Sequence, residues 1–386
     1  MLLKSVKFIE FESDPQSWTL EGLALGQRNL IVGKNASGKS RTLNVIGSLA
    51  SNLAGLKPPG ISGNYDVIFD KDGKIIEYKL KYNESEVSEE KLTIDGRVLL
   101  SRGDGGKGTI FAEALEGGKN IDFQTPPSGL AVVTRRDTIQ HKFLEPLYEW
   151  GISLRHYHFG RTLGKERFDL FEKGKGNEKI NDRDENQIVA LYRQAVKEFN
   201  DDFTAVIIND MREIDYDIQE IGLRAPVSIR ILSGPGELIG IYVKEKGLNG
   251  ITDQYSMSQG MFRVLSMLIQ VNYSQMAKKS SCILVDDIGE GLDFDRSCKL
   301  IDLLRNKAKD HNIQLILSTN DRFVMNKVPL EEWSVLQRQG SIVKVRNYDN
   351  SKEIFEEFKF TGLSNFSFLE MDFVNESRGE EAPIHE

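Results

Sequence analysis

Cysteine is almost missing from this chain, whose 386 residues carry only Cys282 and Cys298. Neither belongs to a C-x-x-C pair or lies beside histidines, so a disulfide framework and a structural zinc are not expected, and a reducing compartment is. Also missing is any uninterrupted apolar run near the roughly 18 residues that a membrane helix needs. The opening MLLKSVKFIEFES is charged too early for a secretory signal. These absences lead to the expectation of a cytoplasmic protein with no membrane partner. Positive charge is in deficit as well, with 50 Lys and Arg against 58 Asp and Glu and a formal net charge of −8. A surface basic all over is excluded, while a local basic groove for DNA stays open. No heptad array is sustained, so no long coiled-coil arm is expected. No nuclease motif stands out; a nuclease or other effector would be a separate chain.

What is present centres on Gly33-Lys34-Asn35-Ala36-Ser37-Gly38-Lys39-Ser40, followed by Arg41. It is a complete G-x-x-x-x-G-K-[ST] phosphate loop. Leu30-Ile31-Val32 before it reads as a buried strand, and Leu43, Ile46, Leu49 and Ala50 after it recur at helical spacing. Strand, loop and helix are the context such a loop needs: its glycines admit a polyphosphate close to the backbone, and the helix-start amides point at it. Lys39 then lies against the β- and γ-phosphates of the nucleotide, and Ser40 offers its hydroxyl to Mg²⁺.

Residues 5–11 and 18–25 read as strands of one N-terminal sheet, and Pro58-Pro59-Gly60 breaks the helix that follows the loop. Runs at 65–69, 75–82, 91–94, 98–101 and 109–112, separated by Gly, Asp and Asn turns, predict an antiparallel meander. The cluster Gly103–Gly108 has no helix pattern behind it and reads as a hairpin loop. Residues 135–167 are basic and aromatic; His156 and His158 face one side of a strand there, which leaves a two-histidine metal site conceivable. From 181 to about 211 the apolar spacing predicts a helical insert. Strands at 227–232 and 238–243, joined by 233–236, are expected to return the chain to the core. Beyond 280, strands at 282–285 and 313–317 alternate with a helix at 298–308, which implies a parallel sheet. Strands at 333–337 and 342–346 and a helix at 352–360 follow.

Cys282–Val285 is a hydrophobic strand that ends in Asp286 and Asp287. A phosphate-loop protein needs one acid there for the Mg²⁺ shell, Asp286, and a second to orient or deprotonate water, Asp287. Glu290, three residues on, is the alternative for the water. Upstream, Ser258-Gln259-Gly260 opens a strongly apolar helix, a second anion-binding helix start with no phosphate loop of its own. Ser258 as a plain helix cap is the bland alternative.

Phosphate loop, S-x-G helix start, strand with two acids, Gly291-Leu292-Asp293 and a strand ending Ser318-Thr319-Asn320-Asp321 occur in that order. The order resembles the ABC-type ATPase heads of the RecF, SMC and OLD-like group, and in particular its compact prokaryotic AAA-like ATPases associated with DNA repair or anti-phage defence. The resemblance implies an α/β fold with a mixed parallel sheet, an antiparallel N-terminal meander and an inserted helical lobe. It covers residues 1–375, with a core at 1–160 and 226–375 and a lobe at 161–225, before a disordered polar tail at 376–386. It makes Ser258, Gln259 and Gly260 the signature that touches ATP in the opposite subunit of a homodimer, and Asp293 an interface aspartate. It implies ATP and Mg²⁺ as cofactors, a metal-sensing glutamine near Gln140, and Trp18 or Phe11 as an adenine-stacking candidate. Three departures stand out: Ala36 for glycine, Asp287 for the catalytic glutamate, and Asn320 for a switch histidine. The last two point to slow hydrolysis. The implied function is an ATP-dependent dimerising switch; a transporter's nucleotide-binding subunit and a small-molecule kinase are the alternatives.

Overall fold

A computed structural model describes residues 1–171, 180–228, 237–279, 282–311 and 313–373. The strand expected at 227–232 lies mostly outside those residues, as do the turn 233–236 and the tail 376–386.

Among the described residues, fourteen strands form one sheet. Its order begins Leu154–His158, Cys282–Asp286, Gln314–Ser318, Arg28–Val32 and Trp333–Gln339, five strands parallel to one another. Cys282–Asp286 and Gln314–Ser318 are buried at every position, as strands covered on both faces must be. Ile342–Asn347, Trp18–Ala24 and Leu2–Glu10 then lead to the meander, Ser62–Lys71 through Lys119–Gln124. There the pattern alternates: Ile76, Tyr78, Leu80 and Tyr82 are buried while the residues between them face outward. The last strand of the meander, Lys119–Gln124, was not signalled by the sequence. Gly103–Gly108 is the turn between antiparallel Arg97–Arg102 and Lys107–Ala112, as expected.

Two cores flank the sheet. On one side Leu43, Ile46 and Leu49 of helix Lys39–Leu53 pack with Trp150 and the meander's Tyr65, Tyr78 and Leu92. On the other, helices Ile188–Glu213, Gln259–Met276 and Phe294–Asp310 cover Leu30, Val32, Val285 and Leu317.

The inserted lobe differs from its expectation. Its helix, Ile188–Glu213, kinks at Asn200, where φ is 52°. Against it lies a small antiparallel sheet of Asp169–Phe171, Glu237–Glu245, Ile218–Arg224 and Thr252–Asp253. The strand expected to return the chain to the core therefore completes the lobe instead, across the boundary placed at 225. Strand pairing decides this: Glu237–Glu245 bonds to Asp169–Phe171 and Ile218–Arg224, while its Ile241 and Val243 are still buried in the same core as Leu30 and Val32. No helix among the described residues is long and apolar enough to cross a membrane.

Candidate functional site

The phosphate loop leaves strand Arg28–Val32 through Gly33, where a Cβ would lie 2.6 Å from Ser37 Oγ and 2.7 Å from Leu336 O. Only glycine fits that approach. Helix Lys39–Leu53 starts behind Gly38, which sits at φ 105° with no side chain capping the amides. Lys39 is 6% exposed and its ammonium donates to Gly33 O at 2.9 Å and Lys34 O at 3.3 Å. Burial pulls the Lys39 ammonium down in pKa, while Asp287 and Asp286 push it back up. Ser37 is 4% exposed, and its hydroxyl has no partner among the described residues. An unfilled hydroxyl, uncapped amides and a buried ammonium held only by loop carbonyls form a donor set that a polyphosphate satisfies. Lys34 points away and pairs with Asp372 at 3.0 Å.

The acids meet this cradle from strand Cys282–Asp286. Ser318 Oγ donates to the buried Asp286 carboxylate and accepts from Asp287 N at 3.0 Å. Asp287 sits in the left-handed region at φ 54°, a conformation aspartate tolerates better than most residues. Burial raises its carboxyl pKa, Asp286 and Glu290 add to the rise, and Lys39 opposes it. Asn320 Nδ2 donates to Asp287 Oδ1 at 3.3 Å. Lys39, Asp286, Asp287, Glu290 and Asn320 are thus one cluster. Ser40 and Asp286 would hold Mg²⁺, together with phosphate and water oxygens.

Ser258 caps its helix, accepting from Met261 N at 3.2 Å. A Cβ on Gly260 would lie 2.9 Å from Gly291 O and 3.1 Å from Leu292 Cδ2, so glycine at 260 lets its helix pack onto Gly291-Leu292. Asp293 caps helix Phe294–Asp310, and the Arg296 N–H it accepts lowers its carboxyl pKa.

Several expected residues are elsewhere. Gln140 is exposed at the meander, its backbone tied to Glu113 and Asp137 rather than to the acids. The loop that does abut them follows edge strand Leu154–His158. His158 pairs with Asp286, Phe159 N donates to Asp286 O at 2.9 Å, and a Cβ on Gly160 would lie 2.5 Å from Glu290 Oε2. Sequence reasoning missed this loop; its signal was a short strand ending in glycine within the basic stretch. His156 and His158 do stack, at 4.3 Å between ring centroids. His158 Nδ1 lies 3.1 Å from Glu185, and burial followed by His158 lowers the His156 pKa to about 4. No group of three or more His, Cys, Asp or Glu that could hold a metal occurs among the described residues. Trp18 is 2% exposed beneath Gly38, with the Arg41 guanidinium 4.4 Å from its ring, so it floors the loop as a core aromatic. Phe11 occupies a turn at φ 52°.

A solved structure shares this architecture. An SMC head bound to the C-winged helix domain of ScpA matches with a TM-score of 0.52 at 13% identity, covering 90% of this chain and 98% of that one. The SMC head domain of Thermotoga maritima matches at 0.46 and 13% identity, covering 90% and 99%. An SMC head with an extended coiled coil, bound to the C-terminal domain of ScpA derived from Pyrococcus furiosus, matches at 0.48 and 13%, covering 93% and 99%. No curated protein matches the chain significantly. The fold is similar to that of SMC head domains, a mixed α/β phosphate-loop ATPase fold. The family described as an AAA domain, putative AbiEii toxin, Type IV TA system, matches residues 28–326, the greater part of the chain, and the chain belongs to that family.

Proposed function

We propose that this chain binds Mg-ATP at Gly33–Ser40, hydrolyses it slowly, and closes into a two-fold dimer when ATP is bound. The observation that carries the reading is a division within one copy. Lys39, Asp286, Asp287, Glu290 and Asn320 gather at the phosphate loop, whereas Ser258 caps its own helix at Met261 N and is exposed with Gln259, and Gly260 packs on Gly291 O. A second copy supplies the missing half by symmetry, its Ser258–Gly260 meeting the γ-phosphate in the first copy's cradle. Two composite sites form together. Lys39 orients the phosphates, Ser40 and Asp286 hold the Mg²⁺ that neutralises their charge, and Asp287 takes the proton of the attacking water.

Core 1–160 and 226–375 with lobe 161–225 is the domain plan that goes with this reading, although the lobe's sheet straddles its second boundary. A switch of this kind serves as the ATPase component of a DNA repair or anti-phage defence system, with a separate effector or nuclease as partner. The description of the matching family as a putative toxin of a toxin–antitoxin system favours the defence arm. The test is calorimetry of Mg-ATP binding together with light scattering with and without ATP. Expected are binding, a dimer that needs ATP, and turnover below about 1 s⁻¹, low for an enzyme. A chain that ignores ATP, or dimerises equally without it, would overturn the reading.

A further inference from the structure

We propose that Arg263 is a positioning residue: its guanidinium couples the Ser258–Gly260 helix start to the hydrolysis loop of the same chain. The inference rests on the composite-site reading, because it says how contact with a second copy's ATP would reach Asp287 and Glu290.

Arg263 lies one turn into helix Gln259–Met276 and is 8% exposed. Its guanidinium makes three hydrogen bonds to backbone carbonyls on two different loops. Nε donates to Arg161 O at 2.9 Å, Nη2 to Gly160 O at 2.7 Å, and Nη1 to Glu290 O at 2.9 Å. The first two acceptors belong to the loop after the edge strand, and the third to the segment that carries the acids. Both loops reach the reacting region: the room that glycine leaves at 160 is filled by Glu290 Oε2, with Asp287 Cβ 3.5 Å from where a Cβ would be. At Gly291, φ is +79° and a Cβ would lie 2.9 Å from Arg263 Nη1, so a side chain there would be strained and would press on the guanidinium. Gly260 closes the triangle by packing on Gly291 O.

The chemistry calls for arginine. A planar fork with donors on three nitrogens spans three carbonyls at once, whereas a lysine ammonium is a point donor on a flexible stem. All three acceptors flank Asp287 and Glu290. A shift of the helix start against a second copy's nucleotide is therefore transmitted as a shift of the Glu290 and Gly160 carbonyls. Displacement of a reacting group by about 1 Å costs roughly a hundredfold in rate.

The test compares the full chain with Arg263→Gln and Arg263→Lys, each first checked for its Tm. Expected are an ATP dissociation constant and an ATP-driven dimer close to wild type, with kcat reduced roughly a hundredfold, KM little changed, and no rescue by lysine. In a chain already carrying Asp287→Ala and Glu290→Ala, Arg263→Gln should lower the residual turnover no further, because it acts through those groups. Wild-type kcat in Arg263→Gln, an additive loss in the triple variant, or unfolding of both single variants would overturn the coupling while leaving the composite site standing. A wild-type chain that fails to dimerise with ATP would overturn the composite site, and the coupling with it.

Discussion

Two helix starts in this molecule pair a glycine with a serine, and they are finished in opposite ways. At Lys39–Leu53 the preceding Gly38 is left-handed and no side chain caps the amides. At Gln259–Met276 the preceding Ser258 is extended and spends its oxygen on Met261 N. The first start is stabilised only when something else fills its amides, so it suits a ligand held by the same chain. The second already has one of its amides capped by its own chain. Ser258 and Gln259 are exposed, and a serine that accepts one bond can still donate its proton outward. Its back is fixed by Gly260 and Arg263. On the proposed reading, one start is a cradle and the other a face that meets a second copy's nucleotide.

The hardest way to break this contrast is Lys39→Ala. The variant loses an ammonium buried among the loop carbonyls and two carboxylates. ATP affinity should fall by roughly a hundredfold or more, the worth of one or two charge-assisted bonds. Undiminished affinity in a calorimeter would remove the phosphate loop from the account.

On the same proposed reading, the acids set how long the ATP-bound dimer lasts. The Asp287 carboxylate sits about 1.5 Å, one C–C bond, behind where a glutamate would reach, and misplacement of that order costs roughly a hundredfold. Steady-state turnover should therefore be slow in the wild type, slower in Asp287→Ala and faster in Asp287→Glu. Brisk wild-type turnover that survives Asp287→Ala but disappears in Glu290→Ala would assign the water to Glu290.

Ser258→Arg sharpens the contrast from the other side. Monomer ATP affinity should stay within about twofold, since calorimetric error aside no bond to the loop is lost, while ATP-driven dimerisation is blocked by a bulky cation at the meeting face. Equal light-scattering growth in mutant and wild type would show that Ser258 does not face a second copy.

The smallest effect expected is at Ala36, which takes the usual glycine's place with φ at 60°. Ala36→Gly relieves on the order of 1 kcal/mol of left-handed strain and returns a similar amount as chain entropy. Tm and ATP affinity should hardly move, and a tenfold loss of affinity would mean that the methyl group shapes the cradle.

Much of this site was legible because its parts are local. A phosphate loop between strand and helix, a buried strand ending in two carboxylates and a serine before an apolar helix each need only a dozen neighbouring residues. Gln140 shows the limit: the family resemblance implied it, yet its backbone is bound into the meander. The loop at Gly160 and Arg161 takes its place beside the acids because Leu154–His158 pairs with Cys282–Asp286, a neighbour more than a hundred residues away. The lobe's sheet escaped notice for the same reason, since Glu237–Glu245 pairs with Asp169–Phe171 and Ile218–Arg224 rather than with the core.

Local stretches of the chain offer the chemistry: candidate phosphate holders, candidate metal ligands, candidate proton acceptors, and two helix starts that can face an anion. Backbone preference, side-chain type and short-range periodicity carry that information. Only the tertiary structure decided which of these groups meet, that Asp287 lies in a left-handed turn against Asn320, and that Arg263 gathers carbonyls from two loops. Strand pairing and burial across such separations depend on the free energy of the whole packed core, which no single stretch of the chain encodes.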